Sequence, residues 1–123
     1  MAEPKVVLVL VSHSAKLAEG LAELAGQMAT DVRIAAAGGL ESGEIGTSYD
    51  LIETAINDLL GEGLAVVVLT DLGSATMTVE SVLEFLDDEP VKFVDAPLVE
   101  AAIAAATAAQ QGDDLDAAVS YTH

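Results

Sequence analysis

The chain has 123 residues, 21 acidic against 4 basic, for a formal net charge of -17, and it has no cysteine. That charge speaks against nucleic acid, whose phosphates need neutralising cations, and against anionic membranes. The missing thiols exclude disulfides, thiolate metal sites and cysteine nucleophiles.

The length fits a single domain, 1–123, able to bury a core without covalent staples. An acidic excess of this kind suits a salt-adapted protein, and equally a face that docks a basic partner. No basic n-region precedes an apolar segment, and every apolar run falls far short of the roughly 20 residues that span a bilayer. The expectation is a soluble, cytoplasmic protein.

Residues 5–11 (KVVLVLV) form a short Val-rich apolar run, the pattern of a strand buried on both faces. Leu17, Leu21, Leu24 and Met28 then recur at helical spacing and predict one inward helical face. Residues 32–37 (VRIAAA) predict a second strand, followed by the glycine-rich loop GGLESGEIGTS. Ile52, Ala55, Ile56 and Leu59 mark a second helix that stops at Gly61 or Gly63. Its start, TSYD, has the form of a capping box with Thr47 or Ser48 as the cap. Residues 64–70 (LAVVVLT) give a third strand, Val79, Val82, Leu83 and Leu86 a third helix, and residues 91–94 (VKFV) a fourth strand. An alanine-rich helix follows over roughly 97–110. The tail GDDLDAAVSYTH fits a short helix, an edge strand or a frayed end.

Strands alternating with helices predict an α/β fold, with a mostly parallel central sheet of four or five strands and helices on both faces. Right-handed crossovers carry every strand-to-helix loop to one edge of such a sheet, where ligands bind in open α/β folds. His13, Asp71 and the hydroxyls of Ser12, Ser14, Thr47 and Ser74 fall on those loops. An aspartate on one imidazole nitrogen fixes the tautomer and frees the other as a nucleophile. A helix N-terminus nearby opposes a second positive charge and welcomes an anion carried on the ring.

A histidine that accepts a phosphoryl group fits this pattern. The single arginine, Arg33, falls early in the second strand, so guanidinium clamps are excluded and a cradle of backbone N–H groups and hydroxyls remains. No GxxxxGK[ST], GxGxxG or GxSxG is present. The two histidines lack metal-site spacing, so no metal is expected.

The stretches VLVSHSAKLAEGLAELAGQM, IGTS, LTDLGSATMTVE and DAPLVEAA resemble the phosphotransfer subunits of phosphoenolpyruvate-dependent dihydroxyacetone (glycerone) kinases. Their N-terminal domain belongs to the mannose-type enzyme IIA family. The resemblance implies that His13 is phosphorylated, on Nε2, by the phosphocarrier protein HPr. It implies that the group passes to ADP held in the nucleotide-binding kinase subunit, so that this chain binds no cofactor directly. It implies that Asp71 orients His13, that Gly39, Gly46, Thr47, Gly73 and Ser74 are the surrounding loop positions, and that the chain forms a homodimer. Some members continue into phosphocarrier and enzyme I-like domains; here both activities are expected from separate proteins. Two other readings stay open. One is the IIA component of a mannose-type sugar transporter, which passes phosphate to a IIB protein. The other is a non-catalytic α/β binding module with an unmodified histidine.

Overall fold

A computed structural model describes residues 5–122; residues 1–4 and His123, the end of the ambiguous tail, lie outside the described residues. Strand β1 (Val6–Ser12) leads through helix α1 (Ala15–Met28) to β2 (Ile34–Gly38), then α2 (Tyr49–Gly61) and β3 (Ala65–Thr70). Helix α3 (Gly73–Leu83), β4 (Val91–Phe93), α4 (Leu98–Gln110) and α5 (Leu115–Thr122) complete the chain. The four strands pair in the order β2-β1-β3-β4, and every pair is parallel.

The continuous apolar runs follow from burial on both faces. Val6, Leu8 and Leu10 of β1 meet Leu21 and Ala25 of α1 and the alanines of α4. Val7, Val9 and Val11 point the other way, against Ile52, Ile56 and Leu59 of α2 and Val79 and Val82 of α3. Helices α1, α4 and α5 therefore cover one face, α2 and α3 the other. No helix of the described residues is long and apolar enough to cross a membrane.

One local expectation is corrected and two open ones are decided. Leu17, Leu24 and Met28 do not form the inward face of α1: all three are exposed, and Ala18, Leu21 and Ala25 are the buried residues. The cause is a close approach. A Cβ on Gly38 would stand 2.6 Å from the Ser14 carbonyl and 2.8 Å from Ala18 Cβ, so α1 lies too near β2 for large side chains at that contact. Second, of the two caps open to α2, Ser48 is the one used, accepting from the Leu51 amide at 3.2 Å. Asp50 is then the second helical residue instead of the third, and no capping box forms, although its charge still suits the helix N-terminus.

Third, of the three readings of the tail the described residues bear out the short helix, and the sheet has four strands among them. Gly112 turns the chain with φ +88, Asp114 Oδ1 accepts from the Ala117 amide, and α5 lays Ala118 into the core. Strand bounds also shift slightly. β1 runs one residue further than expected, to Ser12, and β2 starts at Ile34 while Val32 packs against the core from the preceding turn.

Candidate functional site

The site forms where β1 and β3 end side by side. Their register sets Val11 opposite Thr70, and the Asp71 amide continues the ladder by donating to the Val11 carbonyl at 3.2 Å. His13 and Asp71 thus leave the two central strands at the same level, 58 residues apart in sequence.

The Asp71 carboxylate collects four donors. Oδ2 accepts from the Ser12 hydroxyl at 2.8 Å and the His13 amide at 3.0 Å; Oδ1 accepts from His13 Nδ1 at 3.0 Å and the Leu72 amide at 2.7 Å. Partial burial pushes this carboxyl up, but the hydrogen bonds from the His13 amide, the Ser12 hydroxyl, the His13 ring and the Leu72 amide outweigh it. The net effect holds Asp71 below the usual carboxylate value.

An ionised carboxylate only accepts, so Nδ1 carries the ring proton and Nε2 presents its lone pair. That lone pair accepts from the Ser74 hydroxyl. The ring is 19% exposed, so Nε2 can be reached from solvent once Ser74 yields.

Helix α3 begins beside the ring and is uncapped. Ser14 caps α1 and Ser48 caps α2, but the corresponding residue of α3 is Leu72, which makes no side-chain cap bond. The amides of Ala75 and Thr76 bond to the Leu72 carbonyl. Those of Gly73 and Ser74, the first two helical residues, have no intrahelical acceptor, the arrangement that suits a helix start to an anion. The sequence carries this signal in Leu72-Gly73, a cap position without Ser, Thr, Asp or Asn.

The glycine loop is tied to the same spot. The Gly46 amide donates to the His13 carbonyl at 2.8 Å and the Gly39 amide to the Ser12 carbonyl at 3.0 Å. Gly39 has φ +70, which glycine adopts without strain. The structure thus brings Ser12, His13, Gly39, Gly46, Asp71, Gly73 and Ser74 together. It directs three hydroxyls away from the ring. Ser12 is fully buried on Asp71, Ser14 Oγ caps α1, and Thr47 Oγ1 lies 3.4 Å from Thr78 Oγ1.

Exposed apolar side chains stand among charged ones on the segments that lead into the site. Leu17, Ile45, Leu72 and Met77 are all exposed on segments that adjoin it. A cavity of about 470 Å³, bounded by Lys5, Asp31, Arg33 and Gly112, opens at the other end of the strands. Arg33 pairs there with Glu62, remote from the rim.

The family model for the PTS system fructose IIA component, EIIA-man, matches residues 7–119. The chain belongs to the EIIA-man family. Within it, the chain is 39% identical over 110 residues to the phosphotransferase subunit DhaM of the PTS-dependent dihydroxyacetone kinase of Lactococcus lactis, covering 89% of this chain and 87% of that one. It is 41% identical over 113 residues to the phosphoryl donor subunit DhaM of dihydroxyacetone kinase 1 of Listeria innocua, covering 92% and 88%. The Escherichia coli DhaM is 40% identical over 118 residues, which are 90% of this chain but 25% of that much longer protein. Among solved structures, a protein of unknown function superposes with a TM-score of 0.86 at 32% identity, over 96% of this chain and 92% of that one. The mannose/sorbose-specific IIA subunit of Enterococcus faecalis shares the fold, with a TM-score of 0.64 at 20% identity over 98% and 86%.

Proposed function

We propose that this chain is the phosphohistidine relay subunit of a phosphoenolpyruvate-dependent dihydroxyacetone kinase. On this reading it accepts a phosphoryl group from HPr on His13 and delivers it to ADP bound in the nucleotide-binding kinase subunit. The observation that carries the reading is the Asp71–His13–Ser74 line beside the uncapped start of α3, in a chain about two-fifths identical to named phosphoryl donor subunits.

The chemistry balances without moving a proton. The Nε2 lone pair attacks phosphorus as the donor's P–N bond breaks, and the bonding pair returns to the donor ring. His13 keeps its Nδ1 hydrogen, so the phosphorylated ring gains positive charge, which the Asp71 carboxylate offsets. Ser74 Oγ leaves Nε2 and, with the amides of Gly73 and Ser74, holds the phosphoryl oxygens. No cationic side chain joins this cradle, so the group is held loosely enough to leave. Attack by the ADP terminal oxygen reverses the sequence and returns the pair to Nε2.

The exposed Leu17, Ile45, Leu72 and Met77 on segments that lead into the site support protein partners over a small-molecule substrate, because a partner brings its phosphoryl group on its own surface. The same chemistry would serve transfer to a IIB protein. Mixing the phosphorylated chain with an ADP-loaded kinase subunit and, separately, with a IIB protein tests the acceptor. ATP formation in the first mixture supports the reading, and transfer only to the IIB protein overturns it.

A further inference from the structure

We propose that Ser12 is a positioning residue for His13, acting through Asp71 and never touching the phosphoryl group. Every other residue of β1 is Val or Leu, and Ser12 is buried as completely as they are. A hydroxyl in such a place is costly unless its hydrogen bonds are made. Both are made here: Ser12 Oγ accepts from the Ser14 amide at 3.0 Å and donates to Asp71 Oδ2 at 2.8 Å.

The polarity of the whole line is then fixed. The Ser14 amide can only donate and the carboxylate can only accept, so the Ser12 hydrogen must point at Asp71. The Ser12 hydroxyl and the His13 amide hold Oδ2, which leaves Oδ1 for the Leu72 amide and Nδ1–H. Without the hydroxyl, Oδ2 keeps one donor, the Ser14 amide loses its acceptor, and the carboxylate is free to rotate away from the ring. The preference of the ring for a hydrogen on Nδ1 then weakens, since only the His13 and Leu72 amides still hold the carboxylate. Ser12 thereby links the amide of Ser14, the cap of α1, to the nucleophilic nitrogen of His13.

This inference rests on the relay reading of His13, but its first test uses no phosphate. Long-range ¹H–¹⁵N spectra of the full chain report the ring tautomer, with His13→Gln separating the His13 signals from those of His123. Wild type is expected to show a single tautomer with bare Nε2, and Ser12→Ala the averaged shifts of two. Phosphoryl uptake from HPr by Ser12→Ala should fall roughly tenfold, the scale of one hydrogen bond to a charged group. Wild-type ring shifts in Ser12→Ala overturn the proposal, whatever happens to the rate, since a slower rate with an unchanged tautomer is a structural effect alone. Should Ser12→Ala fail to fold by its amide spectrum, Ser12→Cys fills the same space with a weaker donor and is judged by the same criteria. If HPr does not phosphorylate wild type while the ring shifts still respond to Ser12, the relay reading fails and the positioning role stands.

Discussion

His13 Nδ1 lies 3.0 Å from Asp71 Oδ1 because β1 and β3 are parallel neighbours in register, so two loops distant in sequence leave the sheet at one level. The contact gives the imidazole a defined donor side and a defined nucleophilic side. Asp71→Asn keeps the shape but offers an N–H as readily as an oxygen to the ring. Phosphoryl uptake by this variant is expected to fall on the order of a hundredfold, the lower end of what a correctly placed proton-holding group contributes. Rapid-quench kinetics with HPr measure it.

The depressed Asp71 pKa makes a statement about stability. The folded chain binds the Asp71 proton less readily than the unfolded chain, whose aspartates titrate near about 3.9. Between the two values the unfolded state carries more protons, so the Asp71 contribution grows with pH. It is fully present above the unfolded pKa and is lost as pH falls through the lower folded one. The stability difference between wild type and Asp71→Asn is therefore expected to be larger at pH 5 than at pH 3. It should shrink progressively below about 3.9 in urea titrations at each pH.

The first amides of α3 can be removed singly. Proline is tolerated as the first residue of a helix, and Leu72 already has the extended backbone that a following proline requires, with φ -129 and ψ 163. Gly73→Pro is expected to fold normally and to phosphorylate roughly tenfold more slowly, having lost one donor to the phosphoryl oxygens. Circular dichroism with the same rate assay checks both halves. An unchanged rate would remove the Gly73 amide from the cradle.

Fold, element order and the His13–Asp71 pairing are legible in the residues, because apolar runs and periodic faces report burial directly. The inward face of α1 is not. Leucines outweigh alanines in any hydrophobic pattern, yet where α1 crosses Gly38 only a small residue, Ala18, fits, and Leu17, Leu24 and Met28 sit outside the core. The destination of Ser12 is equally hidden. On paper it is one more hydroxyl at the rim, and only the pleat of β1 turns it inward to Asp71. Nor does the sequence say that TSYD starts its helix one residue late, since Thr47 and Ser48 are equally good caps.

The close approach at Gly38 has its own test. Gly38→Ala sets a methyl against the Ser14 carbonyl and Ala15 Cα, backbone atoms that cannot step aside. The expected cost is about 1–3 kcal/mol in denaturant unfolding, with slower phosphorylation as well, because displaced Ser14 carries His13 with it. Loss of stability with full activity would mean that His13 is held independently of α1.

The exposed apolar side chains near the site predict a split between donors. Ile45 and Met77 are 71% and 69% exposed, so Ile45→Ser and Met77→Ser should change stability by no more than about 0.5 kcal/mol. Uptake from HPr is expected to slow, while uptake from phosphoramidate, too small to use the rim, stays unchanged. Equal slowing with both donors would place these residues in the chemistry instead of in docking.

The central claim is that His13 carries the phosphoryl group. Its most direct test is the intact mass of the chain after incubation with phosphoenolpyruvate, enzyme I and HPr. Wild type should gain one acid-labile phosphoryl group and His13→Ala none. A His13→Ala variant that still gains the acid-labile group, or a wild type that gains nothing, would contradict the account.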